Sequence, residues 1–255
     1  MSSGKRGARW GRLRLERAQR DPFAKIAMAD LKAEDFAKWR DARLLEVKPG
    51  TVRREMQLLS SMLNHARREW GLITVNPMTD VRKPSMPPAR DRLVTEDELA
   101  RLAHSAGDDL TAATARAFHA FLFAIETGMR AGEIIGLQWD RIDLGAQVAH
   151  LATSKNGSAR DVPLSIEAVR LLRALPEADP VFGLKSSQLD ALWRKLRDRA
   201  AVEGLRFHDS RHVAITRLAR KLDVLALARM VGHRNIAQLQ TYYNEAASDI
   251  AKRLG

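Results

Sequence analysis

The stretch Arg82-Lys83-Pro84-Ser85-Met86-Pro87-Pro88-Ala89-Arg90-Asp91-Arg92 constrains this chain more than any other, because it holds three of the nine prolines. Proline blocks helix continuation and keeps a segment extended, so the stretch separates an N-terminal part from a C-terminal one. The chain therefore reads as a domain at residues 1–81, a linker at 82–92 and a second domain at 93–255. The total of 255 residues gives room for one or two domains with a real core. The second domain has a clear start: Thr95 and Glu98 form the Thr-x-x-Glu pattern of a capping box.

Charge divides at the same place. Residues 1–92 carry 21 basic and 11 acidic side chains, a net +10, while residues 93–255 carry 22 and 20. A basic first part attracts a polyanion, since each phosphate neutralised by Lys or Arg releases a counterion. Nucleic acid is the leading candidate partner, ahead of a merely solvated basic surface. The chain contains no cysteine, which removes disulfides, thiol nucleophiles and Cys-bearing metal sites and fits a reducing cytoplasm. No apolar run approaches the ~18 residues of a membrane span, and the first residues have no apolar segment of a secretory signal. A cytoplasmic protein with no membrane partner is expected.

Patterning predicts helices through the first part: Ala8 to Gln19, about Lys32 to Leu44 with Asp30 near its start, and one following Lys48-Pro49-Gly50. In the last, Thr51 is the expected cap, and Val52, Met56, Leu59, Leu63, Ala66 and Trp70 recur at steps of four and three as one apolar stripe. Gly71 stands where a helix-ending glycine belongs. Arg53, Arg54, Arg67 and Arg68 lie off the stripe, and they and Arg82 and Lys83 in the linker are the candidate phosphate contacts. The second part predicts an apolar helix from Leu110 to Thr127. Short strands come next at 147–151 and 160–163, joined by a turn at Ser154-Lys155-Asn156-Gly157. Further helices are expected near 165–174, 187–201, 208–221, 224–231 and 235–244.

Three segments carry candidate chemistry. In Thr127-Gly128-Met129-Arg130-Ala131-Gly132-Glu133, two glycines bracket an arginine that could be held rigidly. Without a Gly-Lys-Ser/Thr ending this is no nucleotide loop. A structural Arg130–Glu133 pair and an active-site arginine both remain open here. In His208-Asp209-Ser210-Arg211-His212, His208 and Arg211 share a helix face. The four-residue spacing of His208 and His212 imitates a zinc motif, but a guanidinium at 211 beside a bound cation disfavours that reading, and His212 can be a satisfied structural histidine. In the third segment, Gly232-His233 precedes Tyr242, which lies nine residues after the histidine. Tyr242 and its neighbour Tyr243 are the chain's two tyrosines.

In this order the segments closely resemble the tyrosine recombinase, or phage integrase, family over nearly the whole chain. Arg130 stands in its first arginine motif, Lys155 in its lysine-bearing hairpin, His208-x-x-Arg211 in its second motif, and Gly232-His233 with Tyr242 in its third. The resemblance implies a mainly α fold, with an N-terminal helical core-binding domain and a mostly α catalytic domain holding a small antiparallel β-sheet. Two departures stand out. Ser210 occupies a position that is usually apolar, and Tyr243-Asn244 comes after the nucleophile position where the family often has a small polar residue and His. Spacing from His233 favours Tyr242 over Tyr243. The further N-terminal arm-binding domain of many phage integrases is not seen, which implies a simpler recombinase or a fragment.

The resemblance also implies the chemistry. Arg130 and Arg211 would clamp the non-bridging phosphate oxygens, and Tyr242 would attack to form a 3′-phosphotyrosyl link. His208 would accept the phenolic proton, Lys155 would donate one to the departing 5′ oxygen, and His233 would hydrogen-bond the phosphate. No metal, cofactor or ATP is implied. The expected partners are double-stranded DNA recombination sites gripped by both domains and a homo-tetramer on DNA, with room for an accessory DNA-bending or directionality protein and for association with the nucleoid. The tail 245–255, with Ile250 and Leu254, would dock on a neighbour or pack on its own subunit. Type IB topoisomerase-like relaxation and a catalytically idle DNA-binding regulator are the competing functions.

Overall fold

The computed structural model describes residues 8–88, 90–152, 159–233, 235–243 and 251. The chain forms two compact units, Met1–Ala89 and Arg90–Gly255.

The first unit is built on α1 (Ala8–Ala18), α2 (Ala33–Leu44) and α3 (Pro49–Arg68). Along α3 the stripe predicted from sequence is buried at Val52, Met56, Leu59, Leu63 and Ala66, and its larger residues pack with Phe23, Phe36 and Trp39 into one apolar core. Two details differ from expectation. The helix starts at Pro49 with Lys48 as its cap residue, so Thr51 lies inside the first turn. Proline's fixed φ suits the first helical position, and its missing N–H costs nothing there. Trp70 leaves the stripe: the helix ends at Arg68, and the indole is exposed, edge-on to His65 at 4.8 Å between ring centroids. One charged pair is buried against this core. Arg43 makes a two-pronged contact with Glu55, Nε to Oε2 at 2.8 Å and Nη2 to Oε1 at 3.0 Å, both side chains at 6% exposure or less.

The second unit opens with α4 (Glu96–Ala106), whose capping box is formed: Thr95 Oγ1 accepts from the Glu98 N–H at 3.2 Å and the Glu98 carboxylate accepts from the Thr95 N–H at 3.0 Å. Helix α5 (Ala113–Thr127) begins three residues later than predicted, because the Asp109 carboxylate accepts from the Thr111 N–H at 2.9 Å and closes a turn first. Its Phe121, Phe123, Ala120 and Ala124 are fully buried, and α7 (Ile166–Arg173), α8 (Ser186–Arg199) and α9 (Asp209–Leu218) pack around it. Phe121 stacks on Trp193 of α8 at 4.2 Å, and Phe207 meets both rings edge-on. Helix α6 (Ala131–Ile135) comes directly after α5, and α10 (Val224–Val231) after α9.

A three-stranded antiparallel sheet lies between α6 and α7 in the chain. It runs β1 (Ile142–Asp143), β2 (Val148–Leu151), β3 (Arg160–Pro163), with Ala149 opposite Val162 and Leu151 opposite Arg160. Alternation buries Ala149 and Leu151 while leaving His150 exposed. The predicted turn at 154–157, with Lys155, and the tail residues 245–250 and 252–255 lie outside the described residues.

One predicted element takes a different form. Residues expected to make a helix at 235–244 form two 3₁₀ turns, Ile236–Gln238 and Gln240–Tyr242. In 3₁₀ geometry, residues three apart eclipse. That aligns Leu239, which is fully buried, with half-buried Tyr242 on one face. Asn235 caps the segment by accepting from the Ala237 N–H at 3.0 Å.

Candidate active site

The site assembles where three chain reversals meet: the end of α5, the start of α9 and the end of α10. Gly128 ends α5 at φ +63 and Gly232 ends α10 at φ +67, the left-handed region that glycine enters without steric cost. A Cβ on Gly128 would sit 2.9 Å from Val231 Cγ1, so that junction also requires the absence of a side chain.

The last carbonyls of α10 have no partners within their own helix, and the negative end of its dipole lies there. Three guanidiniums meet them. Arg160 Nε donates to Met230 O at 3.0 Å, Arg211 Nη2 to Val231 O at 2.6 Å, and Arg130 Nη2 to Gly232 O at 3.2 Å. Arg211 also donates to Gly128 O, tying α9 to the end of α5. Glu133 gathers the other edges of two of them: Arg160 reaches it through both terminal nitrogens, at 3.0 and 2.7 Å, and Arg130 Nη1 at 2.9 Å. The Glu133 carboxylate also accepts from the Arg130 N–H at 2.8 Å. Burial alone would raise the Glu133 carboxyl. The hydrogen bonds from Arg160 and from the Arg130 backbone outweigh it and hold the group below the usual carboxylate range.

With a single carboxylate among three guanidiniums, the cluster keeps an excess of positive charge. Its consequences appear on the neighbours. Burial, then the nearby Arg130, pushes Arg211 down to about 9, so it remains charged at neutral pH. Burial and the charges of Arg211, Arg130 and Arg160 push His233 down to about 4. His233 is thus a neutral imidazole at pH 7, and its Nδ1 is buried with no hydrogen-bond partner among the described residues.

The two tyrosines are used differently. The Tyr242 hydroxyl lies 2.8 Å from His212 Nδ1, with the ring centroids 5.3 Å apart. Burial raises its pKa, opposed by the charge of Arg211. The Tyr243 hydroxyl donates to Leu222 O at 2.8 Å, beyond the end of α9. His208, the residue preceding α9, is exposed, and Ser210 is buried, its hydroxyl donating to Phe207 O at 2.6 Å. A polar side chain at 210 is therefore satisfied locally.

Of the residues singled out from sequence, Arg130 and Arg211 converge on the end of α10 next to His233, Tyr242 contacts His212, the residue after Arg211, and His208 stands one helical turn from His212. The Arg130–Glu133 pair exists as well, so the structural and the site readings of that segment hold together. Sequence reasoning passes over Arg160, whose side chain is only 8% exposed, and leaves His212 as a structural histidine. The signal for Arg160 is an arginine opening a strand otherwise set to alternate; nothing local identifies its partner 27 residues away.

The phage integrase family model matches residues 92–249. The chain belongs to the phage integrase family. A Haemophilus influenzae protein named as an integrase/recombinase is 42% identical over 265 residues, 97% of this chain and 70% of that protein. The shufflon-specific DNA recombinase of Escherichia coli is 38% identical over 92% of this chain and 64% of its own length. Among solved structures, a lambda integrase dimer bound to a COC′ core site aligns with a TM-score of 0.77 at 18% identity, covering 96% of this chain and 92% of the other. The Tn1549 transposon integrase with circular intermediate DNA aligns at 0.75 and 20% identity, over 98% and 94%. These likenesses establish the fold, mostly helical with a small antiparallel sheet. The chain is a site-specific tyrosine recombinase; its α5–α9–α10 junction carries three guanidiniums, and Tyr242 lies against α9.

Proposed function

We propose that this recombinase cuts and rejoins DNA through a covalent 3′-phosphotyrosyl link to Tyr242. The observation that carries the reading is the different placement of the two tyrosine hydroxyls. Tyr242 lies against the helix that bears Arg211, while the Tyr243 hydroxyl is already committed to Leu222 O.

Attack on a phosphodiester adds charge to the non-bridging oxygens. Arg130 and Arg211 supply donors charged at neutral pH there, preorganised by the carbonyls that hold them, so little reorganisation is left for the transition state. His233, as a neutral ring, adds a hydrogen bond rather than a charge, and His208 completes the set around the phosphate. Lys155 protonates the departing 5′ oxygen. Breaking the link with a 5′-hydroxyl from another duplex exchanges strands and needs no ATP, because the bond energy is kept in the phosphotyrosyl ester.

The first unit carries the sequence-independent grip. Arg53, Arg54, Arg67, Arg68, Arg82 and Lys83 are its proposed phosphate contacts. Of these, Arg54, Arg68, Arg82 and Lys83 are exposed, while Arg53 Nη1 donates to Pro84 O at 2.9 Å. The domain roles of 1–81 and 93–255 and the linker at 82–92 belong to this proposal. So does a homo-tetramer on two DNA sites; a lambda integrase tetramer bound to a Holliday junction is among the related structures. The tail 245–255 would join neighbours in that tetramer, and an accessory DNA-bending or directionality protein would set the outcome. The protein would work on the nucleoid in the cytoplasm; no helix among the described residues is long and apolar enough to cross a membrane.

The test is a nicked duplex carrying a binding site selected from random DNA, incubated with the full chain and run on a denaturing gel. The expected result is a covalent adduct for the wild type and for Tyr243→Phe, and none for Tyr242→Phe. An adduct lost in Tyr243→Phe and kept in Tyr242→Phe would move the nucleophile by one residue. Absence of any adduct, with DNA binding intact, would favour an idle regulator. Relaxation of supercoiled plasmid without a specific site would favour topoisomerase-like activity.

A further inference from the structure

We propose that His212 is a further catalytic residue, the base whose Nδ1 takes the phenolic proton of Tyr242 as that oxygen attacks phosphorus. The proposal rests on the reading of Tyr242 as nucleophile.

Proximity is the first reason. His212 Nδ1 and the Tyr242 hydroxyl are 2.8 Å apart, within the reach a proton transfer requires. The second is placement. His212 comes next to Arg211 in α9, so the element that holds one phosphate-binding guanidinium also carries the acceptor, and the two are fixed relative to each other. The ring is partly buried and lies tilted at 54° to the tyrosine ring, 5.3 Å between centroids. The third is need. A phenol titrates near ~10 in water, and burial moves Tyr242 further up. At neutral pH the hydroxyl therefore stays protonated unless a neighbour accepts the proton. His208, the acceptor expected from sequence, is exposed at the other end of the same helical turn.

In the cleavage step, a neutral His212 with its hydrogen on Nε2 presents a bare Nδ1. The Tyr242 oxygen forms its bond to phosphorus, the proton passes to His212 Nδ1, and an imidazolium results. The phosphorus–O5′ bond breaks, its electron pair leaves with the oxygen, and O5′ takes up a proton, for which Lys155 is the proposed donor. Rejoining runs the reverse course: the incoming 5′-hydroxyl gives its proton back to that group, and the departing tyrosine oxygen recovers one from His212.

Single-turnover adduct formation by the full chain tests this on two nicked duplexes with the same selected site. One has the normal 5′ bridging oxygen and one has sulphur there, a leaving group that needs no proton. His212→Phe keeps a ring in place and removes the nitrogen. The rate is expected to fall by about 10²–10⁴-fold on both substrates, with DNA affinity and melting temperature close to wild type. Lys155→Ala is expected to fall on the oxygen substrate and recover on the sulphur one. His212→Asn presents an amide where Nδ1 was and cannot take the proton, so it is expected to fold, bind DNA and remain slow; it serves if the Phe variant fails to fold. Three results would overturn the proposal: His212→Phe within about threefold of wild type, recovery of His212→Phe on the sulphur substrate, or a wild-type rate for His212→Asn. Tyr242→Phe runs alongside. If it still forms adduct, the nucleophile assignment itself has failed; if it is inactive while His212→Phe is not, only the role of His212 has.

Discussion

Adjacent tyrosines with the same side chain meet different surroundings because the segment carrying them is wound as 3₁₀ turns. Leu239 anchors it in the core, Tyr242 lies in register with that anchor, and Tyr243 turns toward the loop after α9. A second single-residue contrast is between the histidines. His233 lies among three guanidiniums and is held at about 4, far below an unperturbed imidazole. A base whose folded pKa lies below its unfolded value resists protonation in the native state, so it opposes folding at acid pH and ceases to do so as pH rises through the unfolded pKa. Between about pH 5 and 8 it should therefore stay neutral. Proton NMR of the His ring resonances, assigned by comparison with His233→Gln, should show a midpoint near 4 for this residue. A midpoint at or above the ordinary imidazole value would mean that the arginine cluster does not act on it.

At the scale of elements, the recurring device is a helix end held by charge from elsewhere in the chain. The C-terminal carbonyls of α10 receive Arg160 from β3, Arg211 from α9 and Arg130 from the α5–α6 turn, and Glu133 of α6 gathers two of these. Glu133→Ala removes the carboxylate and leaves two guanidiniums little exposed, at 8% for Arg160 and 19% for Arg130. Breaking a buried pair from one side costs about 3–5 kcal/mol, readable by urea unfolding. The Glu133 pKa is depressed in the folded chain, so its contribution is complete above the ordinary carboxylate range and is lost as pH falls through the folded value. The stability gap between wild type and Glu133→Gln should be wide at pH 7 and close below about pH 4. A gap unchanged across that range would show that Glu133 works by packing. Elements of this kind are only partly legible in the sequence. Local signals, such as the Thr95–Glu98 box, the α3 stripe and the strands flanking Asn156-Gly157, identify helices and strands because periodicity and capping are written in neighbouring residues. The same signals miss the two-residue β1 and read 235–244 as a regular helix, since the contacts of this segment with His212 and Leu222 come from far along the chain. The Glu133–Arg160 and His212–Tyr242 contacts are out of reach for the same reason: they link segments 27 and 30 residues apart.

Across the whole molecule the +12 charge divides into two kinds of cation. In the second unit, Arg130, Arg160 and Arg211 are held by a carboxylate and by carbonyls, so they act locally and at fixed geometry. In the first unit the exposed face of α3 is another matter. Arg54, Gln57, Ser61 and Arg68 are exposed along it, opposite the buried stripe. Residues 54 and 68 are separated by nearly four turns, so they share a face and stand roughly 21 Å apart along the axis. Two cations so arranged can reach separate phosphates along a duplex, and each contact releases counterions, so affinity depends on salt with a slope of about 0.9 per phosphate. The double variant Arg54→Gln/Arg68→Gln should bind every DNA sequence more weakly, with the log–log salt slope reduced by about 1 to 2. Sequence preference should be unchanged, because phosphate contacts orient a protein without reading bases. Arg53→Gln makes a useful contrast: its guanidinium already donates to Pro84 O, so the slope should change less. Fluorescence anisotropy with the selected site and a scrambled duplex, at several salt concentrations, gives all of these slopes. Equal slopes for wild type and the double variant would remove α3 from the DNA-binding surface.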